Sequence, residues 1–256
     1  MESHAQFDGN NCRQDGSSAL PAWRFRLMTT RFRDRHDAGL HLAAALEEYA
    51  GRPDVLVLAL PRGGVPVAYE VARVLGVPLD LMLVRKLGVP GQEELAMGAI
   101  ASGGIRVISD DVVGALGIPE RAIAVAAANE QQELERLERA YGVERPSPDI
   151  AGKTVILVDD GLATGATMRA AVTALRAQKP RKLVVAVPIA AAETCEALRR
   201  HVDAVVCALT PGAFLAVGQG YEDFSQVSDQ EVRDLLHQAG QRPGDTLPKT
   251  GSSRSE

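Results

Sequence analysis

The chain has 256 residues, 46% of them hydrophobic and 24% charged, with a net charge of -5 and a pI near 5.6. That length suits one large domain or one domain with a small appendage, and the composition is that of an ordinary globular protein. The acidic balance argues against a general nucleic-acid binder, and no apolar stretch approaches the roughly 20 residues that a membrane helix needs.

Residues 1–28 are rich in Asn, Gln, Ser, Gly and Asp, show no period and read as a disordered tail, with Met28 a candidate native start. Arg13, Arg24 and Arg26 occur there without a continuous apolar core, so the segment does not read as a secretory signal. Asp37 is positioned to cap a helix running to about Tyr49, with Leu42, Ala45, Leu46 and Tyr49 at helical spacing. Residues 55–60 form a short apolar run that suits a buried parallel strand. A helix is expected from Pro66 to Leu75, then a second buried strand over residues 79–84. Residues 87–108 are Gly-rich and read as a long loop carrying short strands at 97–101 and 105–108.

Pro119 opens a long helix whose stripe is Ile123, Ala127, Leu134, Leu137 and Tyr141; Glu130 fills the gap in it, either facing a pocket or ending a helical face, the second reading being favoured. Pro146 and Pro148 are expected to end it. Three more apolar runs, 155–158, 183–187 and 204–207, alternate with helical stretches near 165–178 and 191–200. Ser228 and Glu231 match a capping box that starts a last helix to about Ala239. Residues 241–256 read as a second disordered tail. Alternation of strands and helices argues for a parallel sheet covered on both faces, with ligands at the carboxyl ends of strands near a topological switch point. Cys12, Cys195 and Cys207 lack metal-ligand spacing, and an odd, sparse set is poor material for a disulfide framework; a reducing, cytoplasmic setting is expected.

Three loops at strand ends carry chemistry. The apolar run 155–158 is followed by Asp159-Asp160-Gly161-Leu162-Ala163-Thr164-Gly165-Ala166-Thr167. Two carboxylates and a turn of small residues thus precede a helix start, where backbone N–H groups and the helix dipole favour an anion. The Gly-Lys-Ser/Thr ending of a P-loop is missing, and Gly218-Gln-Gly220 is only a fragment of a dinucleotide fingerprint. After the first strand comes Leu60-Pro61-Arg62-Gly63-Gly64-Val65, where two glycines permit close approach of a ligand and Arg62 offers a fork of donors. Val84-Arg85-Lys86-Leu87-Gly88 places a basic pair at the next strand end, with Pro90-Gly91-Gln92-Glu93-Glu94 following.

The segment 155–167 closely resembles the 5-phosphoribosyl-1-pyrophosphate (PRPP) motif of type I phosphoribosyltransferases, with Gly161 where that family usually has an aliphatic residue or Ser; a local backbone effect is expected from it. From Arg31 to about Leu236 the chain resembles one subfamily of undefined acceptor, which carries Arg-Phe-Arg-Asp-Arg, Pro-Arg-Gly-Gly, Val-Arg-Lys and a Phe-x-Ala-Val-Gly segment, here residues 214–218. The resemblance implies an α/β type I phosphoribosyltransferase fold over residues 29–240, a mostly parallel central sheet flanked by helices with a small hood. Ala163, Thr164, Gly165, Ala166 and Thr167 would take the 5-phosphate. Asp159 and Asp160 would bind the ribose hydroxyls and act through waters of a substrate-held Mg2+. Arg62, Gly63, Gly64, Arg85 and Lys86 would take the pyrophosphate, with a cis peptide at Arg62–Gly63.

Residues 90–94 stand where the family has a mobile catalytic loop, with Glu94, then Glu93, as proton donor. Ala163 precedes Thr-Gly where hypoxanthine-guanine enzymes usually carry Asp, and there is no loop Lys of the orotate type between Gly88 and Ser109. An adenine-like acceptor is favoured. Hood candidates are residues 110–145 and 213–226, where Phe214, Tyr221 and Phe224 could stack on a flat ring, though packing of the core is an equal reading. The histidines receive no role. The implied reaction transfers the phosphoribosyl group to a nitrogen acceptor with release of pyrophosphate, in a homodimer of the family's kind without nucleic-acid or membrane partners. Two alternatives remain: a non-catalytic PRPP-sensing regulator, against which the low pI and absence of a helix-turn-helix argue, and a domain for another sugar phosphate.

Overall fold

A computed structural model describes residues 31–142 and 148–240, except the side chains of Glu93 and Glu94. The two tails, Met28 and Pro146 lie outside the described residues. Five strands form the main sheet: β1 (Val55–Ala59), β2 (Leu79–Leu81), β6 (Thr154–Val158), β7 (Lys182–Ile189) and β8 (Ala204–Leu209), in the order β2-β1-β6-β7-β8. Every pairing in it is parallel. Such a sheet must be covered on both faces, and the alternation of its side chains shows how. Val55, Val57, Ala59, Ile156, Val158, Val184 and Ala186 pack into one buried cluster. Their neighbours Leu56, Leu58, Val155, Leu157, Leu183, Val185 and Val187 pack into another. The first is covered by helices α1 (Arg35–Ala44), α2 (Gly64–Leu75), α4 (Glu120–Tyr141) and α7 (Asp229–Gly240), the second by α5 (Ala166–Ala177) and α6 (Ala192–Arg199). The chain runs outward from β1 to β2, then returns to the other side of β1 with β6. The switch point therefore lies between β1 and β6.

The segment 79–108 departs from the sequence reading. Its expected strand splits at Met82, where the chain leaves the main sheet, and the expected loop is a second, antiparallel sheet of β3 (Val84–Val89), β4 (Gln92–Ala101) and β5 (Ile105–Ile108). Residues 90–94 are correspondingly not a long loop. Val89 pairs with Gln92 across a two-residue Pro90-Gly91 turn in which Gly91 takes φ 78, the positive value that the third residue of a type II turn demands. Periodicity misses the strands because glycines at 88 and 98 interrupt the alternation. Gly98 is needed where it stands, since a Cβ there would lie 2.3 Å from the Val107 carbonyl of β5. A short helix α3 (Asp110–Leu116) follows.

Smaller corrections concern helix ends. Asp34, not Asp37, caps α1 by accepting the Asp37 N–H at 2.8 Å, while the buried Asp37 carboxylate accepts from the Arg33 backbone and guanidinium. Helix α1 stops at Ala44 and a 3-10 turn (Glu47–Tyr49) completes the expected span. Helix α4 ends at Gly142, φ 66, which caps it before any proline is reached. Ser228 caps α7 through the Glu231 N–H, 3.1 Å, as expected. Cys195 of α6 and Cys207 of β8, read apart in the sequence, are joined as a disulfide because the crossover brings them together over a separation of 12 residues.

Helices α1 and α2 are tied by a titrating contact. His36 Nδ1 lies 3.2 Å from Glu70 Oε1, and the hydrogen bond to Glu70 holds the His36 pKa above its ordinary value. A raised folded-state pKa gives stability that is full below the unfolded value near 6.5 and lost as pH rises through the folded value. His36→Gln is therefore expected to lower Tm at pH 5.5 and to leave it nearly unchanged at pH 8.5, by thermal melts at both. The effect is small because the imidazole is half exposed.

Candidate active site

The carboxyl ends of β1 and β6 meet at the switch point, and what meets there is glycine and acid. A Cβ on Gly63 would sit 2.0 Å from Asp160 Oδ2. One on Gly64 would sit 2.8 Å from the Val158 carbonyl oxygen and 2.9 Å from Asp159 Cα. The two glycines are thus spent on admitting the acid pair. The cis peptide falls one bond earlier than expected, at Pro61–Arg62, and both glycines keep ordinary φ: the helix-like turn at Gly63 (φ -59) leads straight into α2. Arg62 lies 3.7 Å from Asp229 at the start of α7.

Asp159 Oδ1 accepts the Asp160 N–H at 2.8 Å, which fixes the first carboxylate against its own turn. Burial, and then the charge of Asp160, push Asp159 well above the usual carboxylate range. Burial also pushes Asp160 up, against the Arg35 guanidinium, which pulls it down. Arg35 Nε donates to Asp160 Oδ2 at 2.8 Å, its Nη1 donates to the Ser225 carbonyl at 2.7 Å, and its plane lies 3.9 Å over the Phe224 ring. In the sequence Arg35 belongs to a recognised string but carries no role. Nothing local reveals a partner 125 residues away.

After the acids the chain turns into α5 through Gly165, whose φ of 68 requires glycine. Ala163, Thr164 and Thr167 are exposed around that turn. The turn is braced from outside: Arg169 Nη1 donates to the Thr164 carbonyl at 2.6 Å, and Thr194 Oγ1 donates to the Ala163 carbonyl at 2.7 Å. The first N–H groups of α5, beginning at Ala166, face the end of the turn with the positive pole of the helix dipole.

Gly161 has more than a local effect. A Cβ there would meet Val217 Cγ1 at 2.4 Å, so a side chain from a late segment fills the space beside the acids. The three aromatic candidates gather in that segment but do not line an open slot. Tyr221 is 4% exposed, with Phe32 on one side and Phe224 on the other, ring centres 5.7 and 5.0 Å away. Its hydroxyl donates to the Asp160 carbonyl at 2.5 Å. Phe214 is partly buried against the same cluster, and Phe224 is the most exposed of the three.

Arg85 and Lys86 stand on β3, in the second sheet. They line a cavity of about 900 Å³ between β3 and α4, with Thr167 contributing from the start of α5 and Arg121, Asn129 and Glu130 from α4. Glu130 does not merely end a polar face; its Oε2 accepts from Arg85 Nε at 2.7 Å. The Glu94 side chain lies outside the described residues, so its expected role is neither met nor opposed. Among the described residues, no three His, Cys, Asp or Glu are grouped to cage a metal ion, and no helix is long and apolar enough to cross a membrane.

A family model described as "Phosphoribosyl transferase domain" matches residues 33–219. The chain belongs to the phosphoribosyltransferase family. This family member is 46% identical over 208 residues to two Mycobacterium tuberculosis proteins, of strains CDC 1551 / Oshkosh and ATCC 25618 / H37Rv, each named "Putative phosphoribosyl transferase". The matches cover 81% of this chain and 47% of each relative, so the chain spans about half the length of these curated relatives. The crystal structure of TT1426 from Thermus thermophilus is similar at 42% identity and a TM-score of 0.75, covering 81% of this chain and 98% of that one.

Proposed function

We propose that this phosphoribosyltransferase domain binds PRPP with magnesium and transfers its 5-phosphoribosyl group to a nitrogen acceptor, releasing pyrophosphate. The observation that carries the reading is the acid pair at the switch point, roofed by Gly63 and Gly64 and followed at once by a helix start. The turn of Ala163, Thr164, Gly165, Ala166 and Thr167, exposed at Ala163 and its two threonines, takes the 5-phosphate through backbone N–H groups and the two hydroxyls. Asp159 and Asp160 accept hydrogen bonds from the ribose 2- and 3-hydroxyls and favour the positive charge that develops on the sugar. Arg62 with the Gly63–Gly64 backbone, and Arg85 with Lys86, take the leaving pyrophosphate. Two carboxylates, with no third His, Cys, Asp or Glu grouped with them among the described residues, suit a magnesium ion that arrives on the substrate's phosphates and keeps most of its waters. Bound there, the ion would neutralise charge on the leaving group.

Displacement at the anomeric carbon needs the nucleophile opposite the leaving group. Of the two hood candidates, residues 213–226 are favoured for the acceptor, since Val217 fills the space beside Gly161 and the Tyr221 hydroxyl donates to the Asp160 carbonyl. The alanine at 163 puts no carboxylate before Thr164-Gly165, which favours an adenine-like acceptor over a 6-oxopurine.

The test is pyrophosphate release from PRPP and magnesium with single nucleobases added in turn. One base is expected to trigger release, and Asp159→Asn/Asp160→Asn to lower the rate by at least about 10²–10³-fold, the scale of a lost charge-stabilising group. PRPP binding without release for any base would favour a PRPP-sensing role. Absence of both binding and release would overturn the reading.

A further inference from the structure

The cavity between β3 and α4 has a carboxylate turned into it. Glu130 lies on the inner stripe of α4, between the buried Ala127 and Leu134. The other carboxylates around it are engaged along the helix: Glu133 accepts from Arg136 at 2.8 Å, and Glu135 from Gln131 at 3.2 Å. Glu130 instead reaches across to β3 and takes the guanidinium of Arg85 at 2.7 Å. Lys86 and Thr167 line the same space.

A carboxylate and a phosphate present negative charge and similar acceptor oxygens to an arginine fork. The residue that Glu130 occupies is the one assigned above to the leaving group. We propose that Glu130 is an internal competitor for the pyrophosphate group: it holds Arg85 while the site is empty and yields it when a pyrophosphate ester enters. The proposal rests on the PRPP reading. Arg85 and Glu130 are 39% and 30% exposed, and an ion pair so open to water is weak. Competition therefore raises the apparent Kd by a small factor and does not close the site. It also couples occupancy to α4, because the ligand takes away a charged tie between the middle of that helix and β3.

The opposite role, in which Glu130 aims Arg85 at its ligand, predicts the opposite sign, so one substitution decides. Inorganic pyrophosphate with magnesium is titrated calorimetrically into the wild-type chain, Glu130→Gln and, as a control for net charge on the same helix, Glu135→Gln. Glutamine matches glutamate in helix propensity, and a far-UV melt checks the fold of each variant. Glu130→Gln is expected to bind about two- to fivefold tighter, the strength of an exposed ion pair, and Glu135→Gln to match wild type. Equal or weaker binding by Glu130→Gln, beside a wild type that binds, overturns the competitor role and leaves the PRPP reading standing. Equal tightening by both variants also overturns it, since bulk charge would then be the cause. No binding by any of the three overturns the proposal, while the PRPP reading beneath it is decided separately by the release assay above.

Discussion

Asp159→Asn is expected to make the protein more stable while slowing the proposed transfer. Asp159 is held well above the usual carboxylate range, first by burial and then by the charge of Asp160. A carboxyl whose folded-state pKa is raised is not penalised below its unfolded value near 3.9, where it is protonated in both states. It costs more and more stability as pH rises from there through the folded value. Asparagine removes that cost and keeps the oxygen that accepts the Asp160 N–H. The variant should therefore melt higher than wild type at pH 8, by about 2–4 °C for each 1 kcal/mol of relieved repulsion in a chain of this size. The gain should shrink toward pH 5. Transfer should meanwhile fall by about 10²–10³-fold if the pair carries the sugar's charge. Melts of both proteins at the two pH values, beside pyrophosphate release at pH 8, check both halves. A lower Tm at pH 8 would show that the pair stabilises the fold, against the expected sign.

Gly64→Ala is expected to damage both the fold and the site through a single methyl group. The new Cβ would meet two backbone atoms of the β6 end, the Val158 carbonyl oxygen at 2.8 Å and Asp159 Cα at 2.9 Å. Neither can swing aside as a side chain would. The same Val158 carbonyl accepts the Leu60 N–H at 2.9 Å, so relief would have to pry β1 from β6 where the turn begins. Overpacking of this kind costs about 1–3 kcal/mol, and relief would displace the glycine turn from the acid pair it abuts. Both Tm and transfer should drop. Gly114→Ala is the matched control: it lies inside α3 with nothing within 4 Å of its Cβ, and helix propensity alone should make it neutral or slightly stabilising. A Gly64→Ala protein as stable and active as the control would show that the junction is looser than its distances imply.

The parallel sheet is legible in the sequence because its strands are buried on both faces and read as unbroken apolar runs. The acid turn is legible because residue types and spacing are consecutive there. What escapes has distant partners. Arg35 finds Asp160, Glu130 finds Arg85, and Val217 fills the gap at Gly161, each across a long stretch of chain. In such cases one residue alone shows only an isolated charge or a missing side chain. The second sheet escapes for a different reason: β3 and β4 are short of alternation where Gly88 and Gly98 stand, and a Pro-Gly turn between strands looks in sequence like the start of a loop. Asp37 passes for a cap because two candidate aspartates stand three residues apart, and only geometry separates the one that caps from the one that is buried.

The early string around Phe32 hydrogen-bonds directly to the late one around Tyr221: Phe32 N–H to the Gly220 carbonyl, Glu222 N–H to the Phe32 carbonyl, and Asp223 N–H to the Arg33 carbonyl. Arg35 leaves that junction to hold Asp160. An early and a late stretch of the described residues are thus clasped together beside the acid turn, at the point where the chemistry is proposed. No contiguous fragment short of residues 32–223 contains both halves of the clasp. A piece carrying the acid turn alone would keep the motif in its sequence and lose the support that seats it.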